Sequence, residues 1–424
     1  CGSLHLINNK VTTTGGRTSK FSCDPSLGRL QFANMPIKEM DWTPFKANLT
    51  TIPAEFLKEA HLIHLHLDGL DKLVDFGNRV FSQMPNLITA RLSNLAALES
   101  INCNFLEKCP NLEIASFVDL PSLTSISFGV VGECPRLKVA EIINIDQPLE
   151  LGNNFACTTS NHTTNNITTL DRITFRNVKI HKAGCGFLAG CKMKKVDWDF
   201  WGCGDSRRKG GGGTSSQTSN DNDAAQTMTF QLQTLPQDFL GWCTRLTSID
   251  FDTFAATKWV SKGFLKDCLS LNRVNGSLSG VVAVEAGFMG NTGMTECNVQ
   301  RLLPVVEIIG LDFFAFSQKL LRAEIVDQVH LRRIDQSMFR QCVKLEHLTM
   351  KNLPQLRSIS YNFLQCCTAL KTVEIHPDAV SGVSTIGGNF LARCTSLSPP
   401  VNPIDFSCFK KVRSIDEQLM FACP

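Results

Sequence analysis

The feature that most constrains this chain is a self-similar block of roughly 25 residues that runs almost end to end. Its most visible element is Phe-Leu-x-x-Cys-x-x-Leu. Phe105-Leu106-Glu107-Lys108-Cys109-Pro110-Asn111-Leu112 is one copy, and Phe239 to Leu246 and Phe363 to Leu370 are two more. The Phe position can be followed through Phe56, Phe81, Phe105, Val130, Phe155, Phe187, Phe239, Phe264, Phe288, Phe313, Met338, Phe363, Phe390 and Leu419. The steps from Phe155 to Phe187 and from Phe187 to Phe239 are long, so each carries an insertion. A degenerate first copy surrounds Cys23. A period of this size implies stacked supersecondary units, each too small to bury its own apolar face.

Within one copy, Leu246, Ile249 and Phe251 form L-x-x-I-x-F, whose last two apolar residues alternate with polar ones as in a strand. Leu120-Pro121-x-Leu123-x-x-Ile126 and Leu353-Pro354-x-Leu356-x-x-Ile359 give a second apolar segment half a period later. The Phe, Cys and Leu of the opening motif share one face of a helical turn, which predicts a short helix or 3₁₀ turn winding inward. One short strand per repeat is the expectation.

These three segments together resemble leucine-rich repeats of the BspA-like type, known from bacterial and parasitic-protozoan surface proteins. The resemblance covers roughly residues 20–424 and implies a curved α/β solenoid, a leucine-rich repeat array of about 14 copies with a short parallel strand in each. It also implies a binding scaffold with no shared reaction. Two departures stand out: Phe288 is followed by Met289-Gly290-Asn291-Thr292-Gly293 without the Cys, and the Phe155 copy loses its register in a Thr/Asn-rich stretch. At about 4.8 Å per strand, such a row would run roughly 65 to 70 Å along its arc.

The chain divides accordingly. Residues 1–50 read as a degenerate N-terminal repeat or cap, and 51–201 as the first half of the array with a polar insertion near 157–168. Residues 202–227, with Gly210 to Gly213, have the composition of a disordered Gly/Ser/Asn loop, and 228–424 form the second half, ending mid-repeat. Cys1 at the start and Cys423-Pro424 at the end read as cut ends.

The net charge of +3 over 424 residues carries no basic bias of the kind that nucleic acid demands. The longest apolar run, from Leu302 to Phe316, contains Glu307 and Asp312, so no membrane-spanning segment is expected. Of 18 cysteines, Cys109, Cys134, Cys191, Cys243, Cys268, Cys342, Cys367, Cys394 and Cys423 share one repeat position, which predicts buried free thiols acting as packing residues. Off-register Cys1, Cys23, Cys157, Cys185, Cys203, Cys297 and Cys408 are the better disulfide candidates. Among the N-x-[ST] sequons at Asn48, Asn161, Asn166 and Asn275, Asn161 and Asn166 lie in a polar stretch and are the favoured glycosylation positions.

Signals for chemistry are weak. His61, His64 and His66 cluster, but lack a further ligand at metal-binding spacing. No nucleophile elbow, phosphate loop or C-x-x-C is present. Carboxylate pairs such as Asp250 and Asp252 fit a polar strand face better than an acid/base pair. No catalytic residue, cofactor or metal site is expected.

Function is therefore expected on the strand row, where residues flanking the inward apolar positions line up into columns. These columns contain His64, His66, Arg91, Glu141, Arg172, Lys195, Asp197, Asp250, Arg273, Arg322, Glu324, His347 and Glu374, together with Thr89, Ile114, Ser116, Val139 and Thr174. The expected partner is a protein or carbohydrate held by distributed polar contacts on the concave face, at a cell surface or in a secreted setting. An intracellular scaffold or substrate-recruiting subunit is the alternative. Replacing the interior Phe239 or Phe363 with Ala should cost about 3 to 5 kcal/mol in denaturant unfolding if the repeat register is right. A cost near zero would overturn it.

Overall fold

The computed structural model describes residues 4–7, 10–13, 38, 40–156, 170–194, 231–397 and 409–423. Over most of this span the chain winds into a solenoid of parallel strands. His64–Asp68, Thr89–Ser93 and Ile114–Val118 pair in register, and Val139–Leu151 and Arg172–Ala183 continue the row. Further along, Ser248–Asp250 pairs with Arg273–Asn275, and Glu296–Asn298, Arg322–Val326, His347–Lys351 and Thr372–Ile375 form a row of four. Alternation drives this row: Leu65 and Leu67 are buried while His64 and His66 between them are exposed.

The half-period segment forms a second, lateral row of parallel strands, which the sequence did not announce as strand. Its members are two residues long, as in Ser100–Ile101, Ser125–Ile126, Trp259–Val260 and Ser358–Ile359. The second residue of each of these pairs is buried. Val139–Leu151 and Arg172–Ala183 are long because each runs without a break through both rows. Ahead of the array, Leu4–Ile7 and Lys10–Thr13 form an antiparallel pair.

The Phe-Leu-x-x-Cys segment winds inward as expected, but as a turn rather than a helix. It keeps bonds of the i to i−3 kind, such as the Ala60 N–H to the Leu57 carbonyl at 3.0 Å. Its other N–H groups reach the next coil: Leu57 donates to Val80, Phe81 to Phe105 and Leu106 to Val130, at 2.9, 3.1 and 2.7 Å. Left-handed residues such as Asn104 (φ 57) and Lys108 (φ 58) aim those groups outward along the stack, which a helix would not allow. The same bonds correct the register of one copy. Phe81 occupies the position of Leu57 and Leu106, and Val80 holds the Phe position. In the coils of Phe239, Phe264 and Phe288 one peptide is reversed: Leu240, Leu265 and Met289, at φ 56, 55 and 52, donate backwards to Phe187, Phe239 and Phe264.

The side chains of the motif form two interior columns. The rings of Phe187 and Phe239 stack at 5.4 Å, those of Phe288 and Phe313 at 4.9 Å, and those of Phe363 and Phe390 at 5.1 Å. The coils on either side of the longer insertion are therefore directly stacked. The expected loops at 157–168 and 202–227 lie outside the described residues.

Beside the rings runs a column of thiols. Cys134 donates its S–H to the Leu106 carbonyl of the preceding coil at 3.1 Å, Cys268 to Leu240 at 3.2 Å, Cys367 to Phe339 at 3.1 Å and Cys394 to Leu364 at 3.2 Å. The acceptor is the carbonyl of the Leu position, which already takes the backbone N–H of its own Cys, as Phe339 does from Cys342 at 3.2 Å. Cysteine at this position is thus a small apolar filler that also supplies a donor. Thr292 and Ser317, both buried, stand in the same column where the Cys is missing.

Among the described residues all cysteines are unbridged. Cys297 corrects its assignment as a disulfide candidate: it is the buried middle residue of Glu296–Asn298, in register with Ala323. Cys185 is exposed and free, and Cys1, Cys23, Cys157, Cys203 and Cys408 lie outside the described residues.

Burial pushes the buried thiols up, Cys134, Cys268 and Cys367 far above the usual range and Cys342 to about 12. The neutral thiol is the form that the folded chain holds. Its stabilisation is complete below the unfolded thiol pKa of 9.0 and is lost as pH rises toward about 12. The melting temperature of the protein should therefore fall on alkaline titration above pH 9. The fall should be shallower in Cys342→Val, which has no proton to lose; equal slopes would contradict a buried neutral thiol.

Candidate interaction face

The long strands present outward positions in three paired rows, where exposed residues mostly alternate with buried ones that anchor them. Strand pairing sets His64, Thr89, Ile114, Val139 and Arg172 in one column and His66, Arg91, Ser116, Glu141 and Thr174 in the next. In the second half the columns are Glu296, Arg322, His347 and Thr372, and Asn298, Glu324, Thr349 and Glu374. Ser248 and Arg273, with Asp250 and Asn275, form a shorter pair. Lys195, Asp197, Asn161 and Asn166 lie outside the described residues.

Within the face the side chains cross-link neighbouring coils. His64 Nδ1 is 2.8 Å from the Thr89 hydroxyl, and His347 Nδ1 is 2.7 Å from that of Thr372. Ser116 donates to Glu141 at 2.7 Å, and the Arg172 guanidinium lies 3.9 Å from the other oxygen of the same carboxylate. Asn298 donates to Glu324 at 2.7 Å, and within one strand Arg273 donates to Asn275 at 3.1 Å. Asp250 accepts the backbone N–H of Asp252 at 3.0 Å, which gives that carboxylate a turn-forming role. His66, Arg91, Arg322 and Glu374 are exposed.

Two expected column members differ. Ser116 is 5% and Thr174 4% exposed, so they support the face from beneath. Charge along it is mixed in sign, with Arg91, Glu141, Arg172, Asp250, Arg273, Arg322 and Glu324 on it. The Lys371 ammonium, bonded to Glu346 at 2.8 Å, holds that carboxyl below its ordinary range at the border of the face. Hydrogen bonds from Asn94 and Ser93 do the same for Asp68 at the end of the first strand.

Sequence reasoning missed two parts. Glu296 and Asn298 join the columns, although the copy that precedes them has no Cys to mark its register. Ile63, Ile88 and Ile114, at 37%, 39% and 39% exposure, form an apolar patch beside His64 and Thr89. The signal was available in Ile63 and Ile88, since later copies carry Glu113 and Lys138 at that position, paired at 3.0 Å. Among the described residues no group of three or more His, Cys, Asp or Glu side chains could hold a metal ion, and no helix is long and apolar enough to cross a membrane.

A solenoid of parallel coils with an open, side-chain-rich strand face is a repeat protein of the leucine-rich class, an architecture built for interaction. The chain belongs to the family described as the BspA type leucine rich repeat region, whose model matches residues 26–155 and 288–423 in 6 copies. In fold it is similar to a leucine-rich repeat protein from Bacteroides ovatus, with a TM-score of 0.57 and 16% identity over 85% of this chain and 82% of that one. A leucine-rich repeat protein from Eubacterium ventriosum matches with a TM-score of 0.37 and 13% identity over 80% of this chain and 83% of that one. No curated protein matches the chain.

Proposed function

We propose that this protein is a non-catalytic interaction module that binds a protein or glycan ligand along its strand face, at or near a cell surface. The observation that carries the reading is the contrast between the two sides of each long strand. Inward positions are almost all apolar and buried, as in Ala323, Leu348 and Val373, whereas outward positions in the same register change type from coil to coil. Packing dictates the first set and leaves the second open to selection by a partner. Polar groups of mixed character at Arg322, Glu324, His347 and Glu374 favour recognition by distributed polar contacts rather than by one charged patch.

The reading is tested with wild type and an Arg273→Glu/Arg322→Glu variant on the same printed glycan array and protein microarray. Both side chains are exposed, so the melting temperature should not change. Capture of the ligands that wild type selects should fall about tenfold or more, a change of about 1.4 kcal/mol. Unchanged capture would remove this face from the assignment.

A further inference from the structure

A second surface of the molecule differs from its surroundings at one proline of the lateral strand row. In most coils of that row the residue after the strand donates its N–H to the coil before, although at Phe76 the carbonyl takes the Asn102 side-chain amide instead. Gly152 donates to Ile126 at 2.7 Å, Gly184 to Leu151 at 2.8 Å, Ser261 to Leu235 at 2.9 Å, Glu285 to Val260 at 2.9 Å and Gly310 to Val284 at 2.9 Å. The corresponding residue between Gly184 and Ser261 is Pro236, which has no N–H. The Ala183 carbonyl thereby loses its ladder donor. The lateral row divides at this point, as it also does between Asp75–Phe76 and Ser100–Ile101: Arg172–Ala183 belongs to one sheet, Thr234–Leu235 opens the next, and no strand pairing joins them.

The division opens a cleft of about 560 Å³, lined among others by His181, Lys182, Gln233, Thr234, Ser261 and Glu285. The two charged groups on its wall are already engaged. Lys182 is paired with Glu150 of the preceding coil, and Glu285 accepts the backbone N–H of Lys262 at 3.2 Å. What remains is a set of hydroxyl, amide and imidazole groups that both donate and accept, suited to a neutral polyol rather than to an ion. Trp259 lies on the next strand, outside the lining itself, in register with the lining residue Thr234 on one side and Ala283 on the other, and is 52% exposed. Most other first positions of this row are small or polar, Ser100, Ser125, Ser358 and Thr385 among them. A large indole between two short neighbours offers an apolar platform next to hydrogen-bonding groups, which is the combination that one face and the rim of a sugar ring require.

We infer that the cleft at the Pro236 break, with Trp259 as its platform, is a binding site for a neutral saccharide, separate from the long-strand face. The test titrates the full chain with cellobiose, maltose, lactose and N,N′-diacetylchitobiose, followed by calorimetry and by saturation-transfer NMR. At least one should bind saturably. Trp259→Ala should weaken it about tenfold or more, while Trp259→Phe keeps part of the affinity. Arg322→Glu, on the other face, should leave it unchanged. Pro236→Ala, which returns an N–H to face the Ala183 carbonyl, should weaken binding with Trp259 still present. The proposal is overturned if none of the four sugars binds wild type, if Trp259→Ala binds as wild type does, or if the loss follows Arg322→Glu instead.

Discussion

Everything in this structure depends on the backbone of the inward turn finding its hydrogen-bond partners in the neighbouring coil. A turn that carries Phe and Cys into the interior takes its own N–H and C=O groups with it, and those groups cannot be left unpaired away from water. The stack solves this in one direction at a time. N–H groups of one coil meet carbonyls of the next, and where the direction reverses, at Leu240, Leu265 and Met289, it does so over successive coils. The thiol column serves the same requirement, since the S–H groups of Cys134, Cys268, Cys367 and Cys394 each meet a carbonyl of the coil before. Ring stacking and thiol donation therefore hold the same interface from two sides.

That dependence explains why the outer surfaces are free to differ. Once the turn, the rings and the two strand rows fix each coil on its neighbour, most outward residues of the long strands, Ser116 and Thr174 apart, carry little packing duty. Outward residues such as Arg322 and Glu324 differ in type from their neighbours in the next coil while the register is kept. The lateral row has the same freedom and uses it in a different way: Pro236 deletes a ladder bond and Trp259 fills a position that is polar in many other coils.

Much of this was legible in the sequence because the repeat reports its own register. The columns of the strand face, from His64 through Glu141 to Glu374, follow from counting residues away from the Phe and Cys positions, and strand pairing places them as counted. Other features were hidden for physical reasons. A strand of two residues is too short to show an alternating pattern, so the lateral row read only as an apolar half-period. Val80 and Phe81 are both fully buried, so composition alone could not say which one takes the Phe position. Cys297 looked off-register because the preceding copy lacks its Cys; its place between Glu296 and Asn298 is an ordinary polar, apolar, polar strand. The break at Pro236 was unreadable until the lateral ladder that it interrupts was known.

The central claim is that coil-to-coil bonds in the inward turn hold the array together, and amide hydrogen exchange of the native protein tests it most directly. The N–H groups of Phe81, Leu106, Phe339 and Leu364 should be among the slowest to exchange, opening only with unfolding of the stack. Exchange at these four amides as fast as at exposed loop positions would contradict the account.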